Sequence, residues 1–399
     1  MIDPKDVIRD LSVAELNQSA DEYFAQINDY SHLFSKPFSD FRETACLMES
    51  LSFLIDGLHL CKGLTIVDFA AGSCWLSRVL NQLQCHTISI DVSKHALEIG
   101  KQLFEYHPIP SAMVSDPVFL LFDGYSIDLE DESVDRIICN DGFHHVPNQS
   151  DVLKEFYRIL KPGGVVGFSE PGMLHSQTPQ SQYEMSNYRV LEDDINVYDI
   201  FSASSKIGFT DCKVAGLCRP LFDLHQHELL LKGDFEKDLT DKVMCEMRNN
   251  GINKNIFFLH KGPFSLDSRS AENLHGKVEI LSSLFSIKNG KVGCLEIRMR
   301  ISNTGSSAWL TQSKSDIGVV SLGIHLVNQE NQFISRDWKR VDLSKQIKPG
   351  ETIIQDICID TPPKDQIGPF RLRFDLVSES VVWFEQLGHV PPQSEIIFY

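Results

Sequence analysis

The sequence predicts an α/β domain with a doubly wound parallel sheet, preceded by a helical layer and followed by an all-β sandwich. Three observations carry that prediction. Apolar residues recur every three to four positions over residues 1–62, short apolar runs then alternate with helical patterns to residue 262, and from residue 276 the helical period gives way to β-rich runs broken by turn residues. A chain of 399 residues exceeds the usual size of one domain, so the change of texture reads as a boundary. The division is 1–262 for the α/β domain, of which 1–62 form a helical lid, 263–275 for a linker and 276–399 for the sandwich.

Taken in order, SVAELNQSADEYFAQI and FRETACLMESLSFLIDGLHL are helices, separated by SKPFSDF, where Pro37 and the aromatic residues break the pattern. Next, LTIVDF precedes SCWLSRVLNQL, HTISIDV precedes HALEIGKQLFEY, VDRIICN precedes SDVLKEFYRILKPGG, and VVGFSEP precedes VYDIFSASSKIGF. Repeated strand-helix units of this kind place parallel strands in one sheet with helices on both faces. Residues 209–262 hold strand-like TDCKVAGL and NIFFLHKG around one helical stretch, EKDLTDKVMCEMRNN, and are assigned to the edge of the same sheet. GPFSLDSRSAENLHG is polar and unpatterned, as linkers are. The runs VEILSSLFSI, CLEIRMRISNTG, VVSLGIHLVN, KPGETIIQDICID, GPFRLRFDLVSE and VVWFEQ then supply about seven strands, which fits an immunoglobulin-like sandwich.

A net charge of -18 repels polyanions and no basic block offsets it, which excludes nucleic acid as a partner. No apolar run is long enough to span a bilayer and MIDPKDVIRD carries no apolar targeting region, so a cytoplasmic protein is expected. The ten cysteines contain no CxxC pair, and Cys139, Cys294 and Cys358 lie in apolar strand-like runs, which predicts buried reduced thiols. The nearest approach to a metal-ligand set, His225 and His227 before Glu228, has no partner residues and reads as surface, so no metal is expected.

IVDFAAGSCWLS, residues 66–77, runs from a strand through a turn into a helix, the place where dinucleotide sites carry glycines that let the backbone bend and approach a ligand. Of the small positions only Gly72 is glycine; Ala70 is close in size and suits a negative φ, and Cys74 replaces the last. A pyrophosphate demands the closest approach, so a nicotinamide dinucleotide is disfavoured. A ligand with an amino-acid group and a ribose demands less: Asp68 at the strand end can receive its ammonium, and Asp91, closing the next strand in TISIDVS, can accept both ribose hydroxyls. Asp123, in LLFDGYS, ends a third strand where it can accept from an adenine amino group, with Gly124 giving room.

The acid-x-small-x-Gly turn from Asp68 to Gly72, Asp91, the DGYSIDLEDESVDRIICND segment with Asp123 and Asn140, HHV at 144–146 and LKPGG at 160–164 occur in an order and spacing that resembles class I S-adenosylmethionine-dependent methyltransferases, and 123–170 is similar to the type 11 group. The resemblance covers about residues 64–170. It implies a Rossmann-like domain whose cofactor, S-adenosylmethionine, is held by Asp68, Ala70, Gly72, Asp91, Asp123, Gly124 and Asn140. It also implies methyl transfer, for which a protein holds donor and acceptor in line and, for a hydroxyl acceptor, removes a proton. His144 or His145, after the fourth strand, is then the candidate base, and Glu170, or His175 beyond it, the group that holds the acceptor hydroxyl. The stretch 171–200, rich in Ser, Gln, Asn, Tyr and acids, suits a polyhydroxylated acceptor.

SNTGSSAWL and FRLRFDLVSESVVWFEQLG resemble an immunoglobulin-like module of bacterial surface-polysaccharide enzymes, in which Trp309, Trp338 and Trp383 serve either as core or as platforms for sugar rings. Together these readings predict O-methylation of a saccharide or surface glycan, with glycan-assembly enzymes as partners. The rivals are methylation of a small metabolite or lipid, a non-catalytic cofactor- or glycan-binding protein, and a nicotinamide oxidoreductase.

Overall fold

The structure is a computed structural model that describes residues 1–109, 115–233, 237–288, 291–360 and 369–394. The chain divides into two compact units, 1–60 with 64–264 and 61–63 with 265–399.

The first unit opens with helices α1 (Pro4–Asp10), α2 (Val13–Ala25), α3 (Ser31–Ser35) and α4 (Phe41–Gly57). Side-chain caps explain where they begin. Asp3 accepts from Lys5 N, Asp40 from Arg42 N and Glu43 N, and Ser12 and Glu15 form a reciprocal capping box at the start of α2.

Among the described residues seven strands follow: β1 (Thr65–Phe69), β2 (His86–Asp91), β3 (Val118–Leu121), β4 (Val134–Asn140), β5 (Leu160–Pro171), β6 (Asp211–Val214) and β7 (Lys254–His260). They form one sheet in the order β3-β2-β1-β4-β5-β7-β6. The helices between them are α5 (Trp75–Gln82), α6 (Lys94–Tyr106), α7 (Gln149–Ile159), α8 (Pro179–Tyr188), α9 (Val197–Ile207), α10 (Leu224–Lys232) and α11 (Lys237–Asn253). The sheet is mixed: β1 to β5 are parallel, and at the edge assigned to residues 209–262 β7 runs antiparallel to both β5 and β6. Apolar periodicity carries no strand direction, and the return through α10 and α11 reverses the chain. Residues 209–262 accordingly hold two helices among the described residues, where one was expected.

Strand order reverses between β1 and β4, so a crevice opens at their carboxyl ends, the usual ligand position in doubly wound sheets. The core beneath it is dense: Phe69, Phe143, Phe156 and Phe168 pack with ring centroids 4.8–6.3 Å apart and hold the strand ends rigidly under the crevice.

The second unit consists of two antiparallel sheets. Its strands are β8 (Gly276–Lys288), β9 (Lys291–Asn303), β10 (Val320–Val327), β11 (Phe333–Asp342), β12 (Thr352–Ile359), β13 (Arg371–Ser378) and β14 (Val382–Trp383), arranged as β11-β10-β13-β14 and β12-β9-β8. Leu295, Ile297, Met299 and Ile301 alternate inward from β9 to meet Leu322, Ile324, Phe374 and Leu376, and Trp309 is fully buried among them against Phe384. Trp338 packs on the rim of this core, and the ring of Trp383 lies on Gly323 under the Arg340 guanidinium, 4.4 Å away, which engages the face that a sugar would use. Cys294 and Cys358 form a disulfide across β9 and β12, correcting the expectation of reduced thiols there. Register explains it: Glu296 faces Cys358, so Cys294, two residues along, is a diagonal neighbour on the same face. Cys139 is a buried free thiol.

Candidate active site

The crevice is a cavity of about 400 Å³, floored by the ends of β1, β2 and β4 and covered by α2, whose Val13, Leu16, Asn17, Ala20, Tyr23 and Phe24 line it. Asp21 clamps α2 down by accepting from Ser93 Oγ at 2.8 Å and from His95 N at 2.9 Å.

The turn after β1 keeps the backbone of a glycine-rich loop with one glycine, Gly72, in place of three. Ala70, Gly72 and Cys74 have φ of 55°, 52° and 58°, a left-handed conformation that costs a residue with a Cβ about 1–2 kcal/mol. Ala70 therefore departs from the negative φ expected of it. Space for the two extra side chains comes from glycines on the facing elements. A Cβ at Gly142 would lie 2.4 Å from Ala70 Cβ, and one at Gly100 would lie 2.3 Å from Cys74 Sγ.

Asp68 and Asp91 both line the cavity and both are buried. Asp91 accepts from Gly72 N through Oδ2 and from Ser93 N through Oδ1, each at 2.8 Å, which ties the turn to the end of β2 while burial pushes its carboxyl above the usual range. Asp68 Oδ2 accepts from Ser77 N at 2.9 Å and from Ser77 Oγ at 2.7 Å, anchoring the first turn of α5. Burial drives its carboxyl up to about 7 against those hydrogen bonds. A folded-state value above the unfolded one stabilises the protein below about pH 4, and that contribution is lost as pH rises through 7. Urea unfolding of the wild type is expected to weaken relative to Asp68→Asn between pH 5 and 8, by no more than about 1.4 kcal/mol per pH unit. Parallel profiles would contradict the assignment.

Two predicted cofactor residues are placed differently. Asp123 is exposed, outside the cavity lining, and its Oδ1 accepts from Tyr125 N and Ser126 N, so the carboxylate caps its own loop. Gly124 lines the cavity, but the room it leaves is taken by Val13 Cγ1, 2.5 Å from where a Cβ would be; its φ of 96° serves the seating of α2. Asn140 lines the cavity, and its Oδ1 has no hydrogen-bond partner among the described residues.

Beyond Asn140 the chain makes a tight turn through Phe143–His145, held by Glu170 at the end of β5. Glu170 is fully buried and accepts from Gly142 N, Phe143 N, His144 N and, at 2.8 Å, His144 Nδ1. With its oxygens so engaged it is a turn anchor, which corrects its reading as the group that holds an acceptor. His144 is buried and outside the lining, its imidazole pushed down to about 4 by burial. His145 lines the cavity, half-buried, with Nδ1 2.5 Å from Leu191 O.

The polar stretch after β5 packs against this turn. Asp193 N donates to His144 O at 3.1 Å, and Glu192 Oε2 lies 2.7 Å from His175 Nε2. Hydrogen bonding to His175 and the neighbouring imidazoles hold Glu192 at about 2 although burial pushes it up. The atoms of His144, His145 and Glu192 that can ligate a metal lie within 4.8 Å of one another, the one such group among the described residues, so the fold assembles what the sequence did not suggest. His225 and His227 are exposed on α10. Glu192, Asn17, Phe24 and Ser77 were missed. Only Glu192 carried a local signal, a carboxylate between the apolar Leu191 and Ile195 in an otherwise polar stretch.

A doubly wound sheet with two buried carboxylates at successive strand ends, under a helical cover, defines an enzyme-type site for a small ligand with hydroxyl and cationic groups. Residues 67–168 match the family described as methyltransferase domain, and the first unit has the Rossmann-like class I methyltransferase fold, whose cofactor is S-adenosylmethionine. The chain is similar to a demethylmenaquinone methyltransferase of Streptomyces griseus subsp. griseus, 27% identical over 123 residues, 30% of this chain and 49% of that one. It is similar to an arsenite methyltransferase of Rattus norvegicus, 32% identical over 112 residues, 26% of this chain and 30% of that one. A solved Haemonchus contortus phosphoethanolamine N-methyltransferase 2 aligns with a TM-score of 0.44 at 17% identity, over 63% of this chain and 61% of that one. The chain thus spans about half the length of the first relative and less than a third of the second. Among the described residues no helix is long and apolar enough to cross a membrane.

Proposed function

We propose that this chain transfers a methyl group from S-adenosylmethionine to a hydroxyl of a saccharide or surface glycan. The observation that carries the reading is the pair Asp68 and Asp91, buried at successive strand ends of one cavity beside an intact left-handed turn. The cofactor supplies an electrophilic sulfonium methyl. Asp91 accepts from ribose hydroxyls with the lone pairs left by Gly72 N and Ser93 N, Asp68 attracts the ammonium, and Asn140 offers its unpartnered oxygen to the base. At the wall, His145 Nδ1 donates to Leu191 O, which leaves Nε2 as the lone pair that takes the acceptor's proton. The acceptor oxygen so deprotonated would form the new C–O bond as the S–C bond of the bound cofactor broke, its electron pair staying on sulfur.

The choice of saccharide rests on the polar stretch 171–200 beside the cavity and on the likeness of the second unit to immunoglobulin-like modules of glycan enzymes, with glycan-assembly enzymes as partners and the cytoplasm as location. The domain boundaries 1–262 and 276–399 belong to the same proposal. The test is release of S-adenosylhomocysteine from purified protein with panels of saccharides, quinols, lipids and amines. Release with saccharides about tenfold above the acceptor-free rate supports the reading; release with another panel alone reassigns the acceptor, and none with any panel favours a binding protein.

A further inference from the structure

Three histidines and a glutamate meet beside the cavity, and their hydrogen bonds determine which atoms they offer. The ring centroids of His144 and His145 are 3.9 Å apart, and His175 meets His144 edge-on at 4.9 Å. His144 Nδ1 faces the Glu170 carboxylate and His145 Nδ1 faces a backbone carbonyl; both partners accept, so both Nδ1 atoms carry the proton and both Nε2 atoms present lone pairs. A carboxylate behind an imidazole is the arrangement that orients histidine ligands and makes them more basic.

Glu192 supplies an independent observation. It is 3% exposed, and its Oε1 makes no hydrogen bond among the described residues, having His145 Nδ1 3.5 Å away, which is weak compensation for a buried carboxylate oxygen. Its Oε2 lies 3.9 Å from His144 Nε2, too far for a hydrogen bond and near the separation of about 3–3.5 Å that two ligands on one ion adopt when each bond is near 2.1 Å. A further carboxylate, Glu184, adds its charge to that of Glu192.

We infer that His144, His145 and Glu192 bind a divalent first-row transition ion of the zinc type, with His175 orienting Glu192. Two imidazoles and a carboxylate are a donor set for such ions and leave a position for an oxygen ligand. The catalytic consequence rests on the methyltransferase reading and replaces its base: the ion would take the His145 lone pair, and the acceptor hydroxyl, acidified at the ion's remaining position, would release its proton to water in the cavity. Metal binding itself does not depend on that reading.

Cobalt(II) is the probe. Full-length protein stripped with chelator is titrated with cobalt and followed by visible absorption and elemental analysis, while cofactor binding is measured by calorimetry on the same preparation. The expected result is one ion per chain with d–d bands and no thiolate charge-transfer band in the near ultraviolet. Glu192→Gln and His145→Asn should each weaken binding about tenfold or more, and Glu170→Gln, which acts through His144, should weaken it less. No uptake, a thiolate band from the free cysteines, or affinity unchanged in both Glu192→Gln and His145→Asn would overturn the assignment. His145 is half-buried at the cavity, so its variant serves if Glu192→Gln fails to fold. Protein that binds S-adenosylmethionine but no cobalt overturns the metal site alone and leaves His145 as the proton acceptor.

Discussion

Asp91→Ala is expected to weaken S-adenosylmethionine binding by about 100-fold or more, measured by calorimetry. The carboxylate does two things at once: it accepts from Gly72 N and Ser93 N, which sets the turn, and it faces the cavity where ribose hydroxyls would lie. Charge-assisted hydrogen bonds contribute about 1.5–3 kcal/mol each, and two lost together exceed the ~2.7 kcal/mol of a 100-fold change. Asp91→Asn keeps one acceptor and should fall between. The pH dependence has a definite sign: burial raises both acids, with Asp68 at about 7, so a cationic ligand that needs them ionised binds more weakly as pH falls through 7. An alanine variant that binds within threefold of wild type would confine Asp91 to a structural role. A folded wild type with no affinity would mean that the turn is a relic.

Gly100→Ala should destabilise the protein by about 1–3 kcal/mol, although alanine for glycine inside a helix ordinarily gains about 1 kcal/mol. The reason is that Cys74, which stands where a glycine-rich turn would have its last glycine, projects Sγ to within 2.3 Å of the new methyl. Cys74→Gly removes the sulfur and relieves the positive φ together, so the double variant Cys74→Gly, Gly100→Ala should recover to about the wild-type level or above, a coupling of about 1–3 kcal/mol by urea unfolding. Additive effects would show that the two sites do not share this space.

The same pair shows what was legible in the chain and what was not. That Asp68, Gly72 and Asp91 lie together was legible because a strand end, a turn and a second strand end are adjacent features of local pattern, and all three line one cavity. That alanine and cysteine at 70 and 74 keep a glycine backbone was not, because the compensating glycines lie 72 residues away at 142 and 26 residues away at 100. Asp123 shows the opposite case: its position after an apolar run matches a ligand-facing acid, and in the fold the aspartate beside a glycine closes its own loop through Oδ1 and lies outside the cavity lining. Glu170 ends its strand as expected, yet four donors from the turn at 142–144 occupy it.

Periodicity and turn residues by themselves determined the α/β and all-β halves and the strand-turn-helix that carries Asp68 and Gly72, since each is a property of neighbours within a few positions. Tertiary structure alone decided the antiparallel course of β7, the disulfide between Cys294 and Cys358, the closure of the crevice by α2, and the convergence of His144, His145, His175 and Glu192. Each depends on strand register or on the path of a loop, and both are set by packing against residues far along the chain.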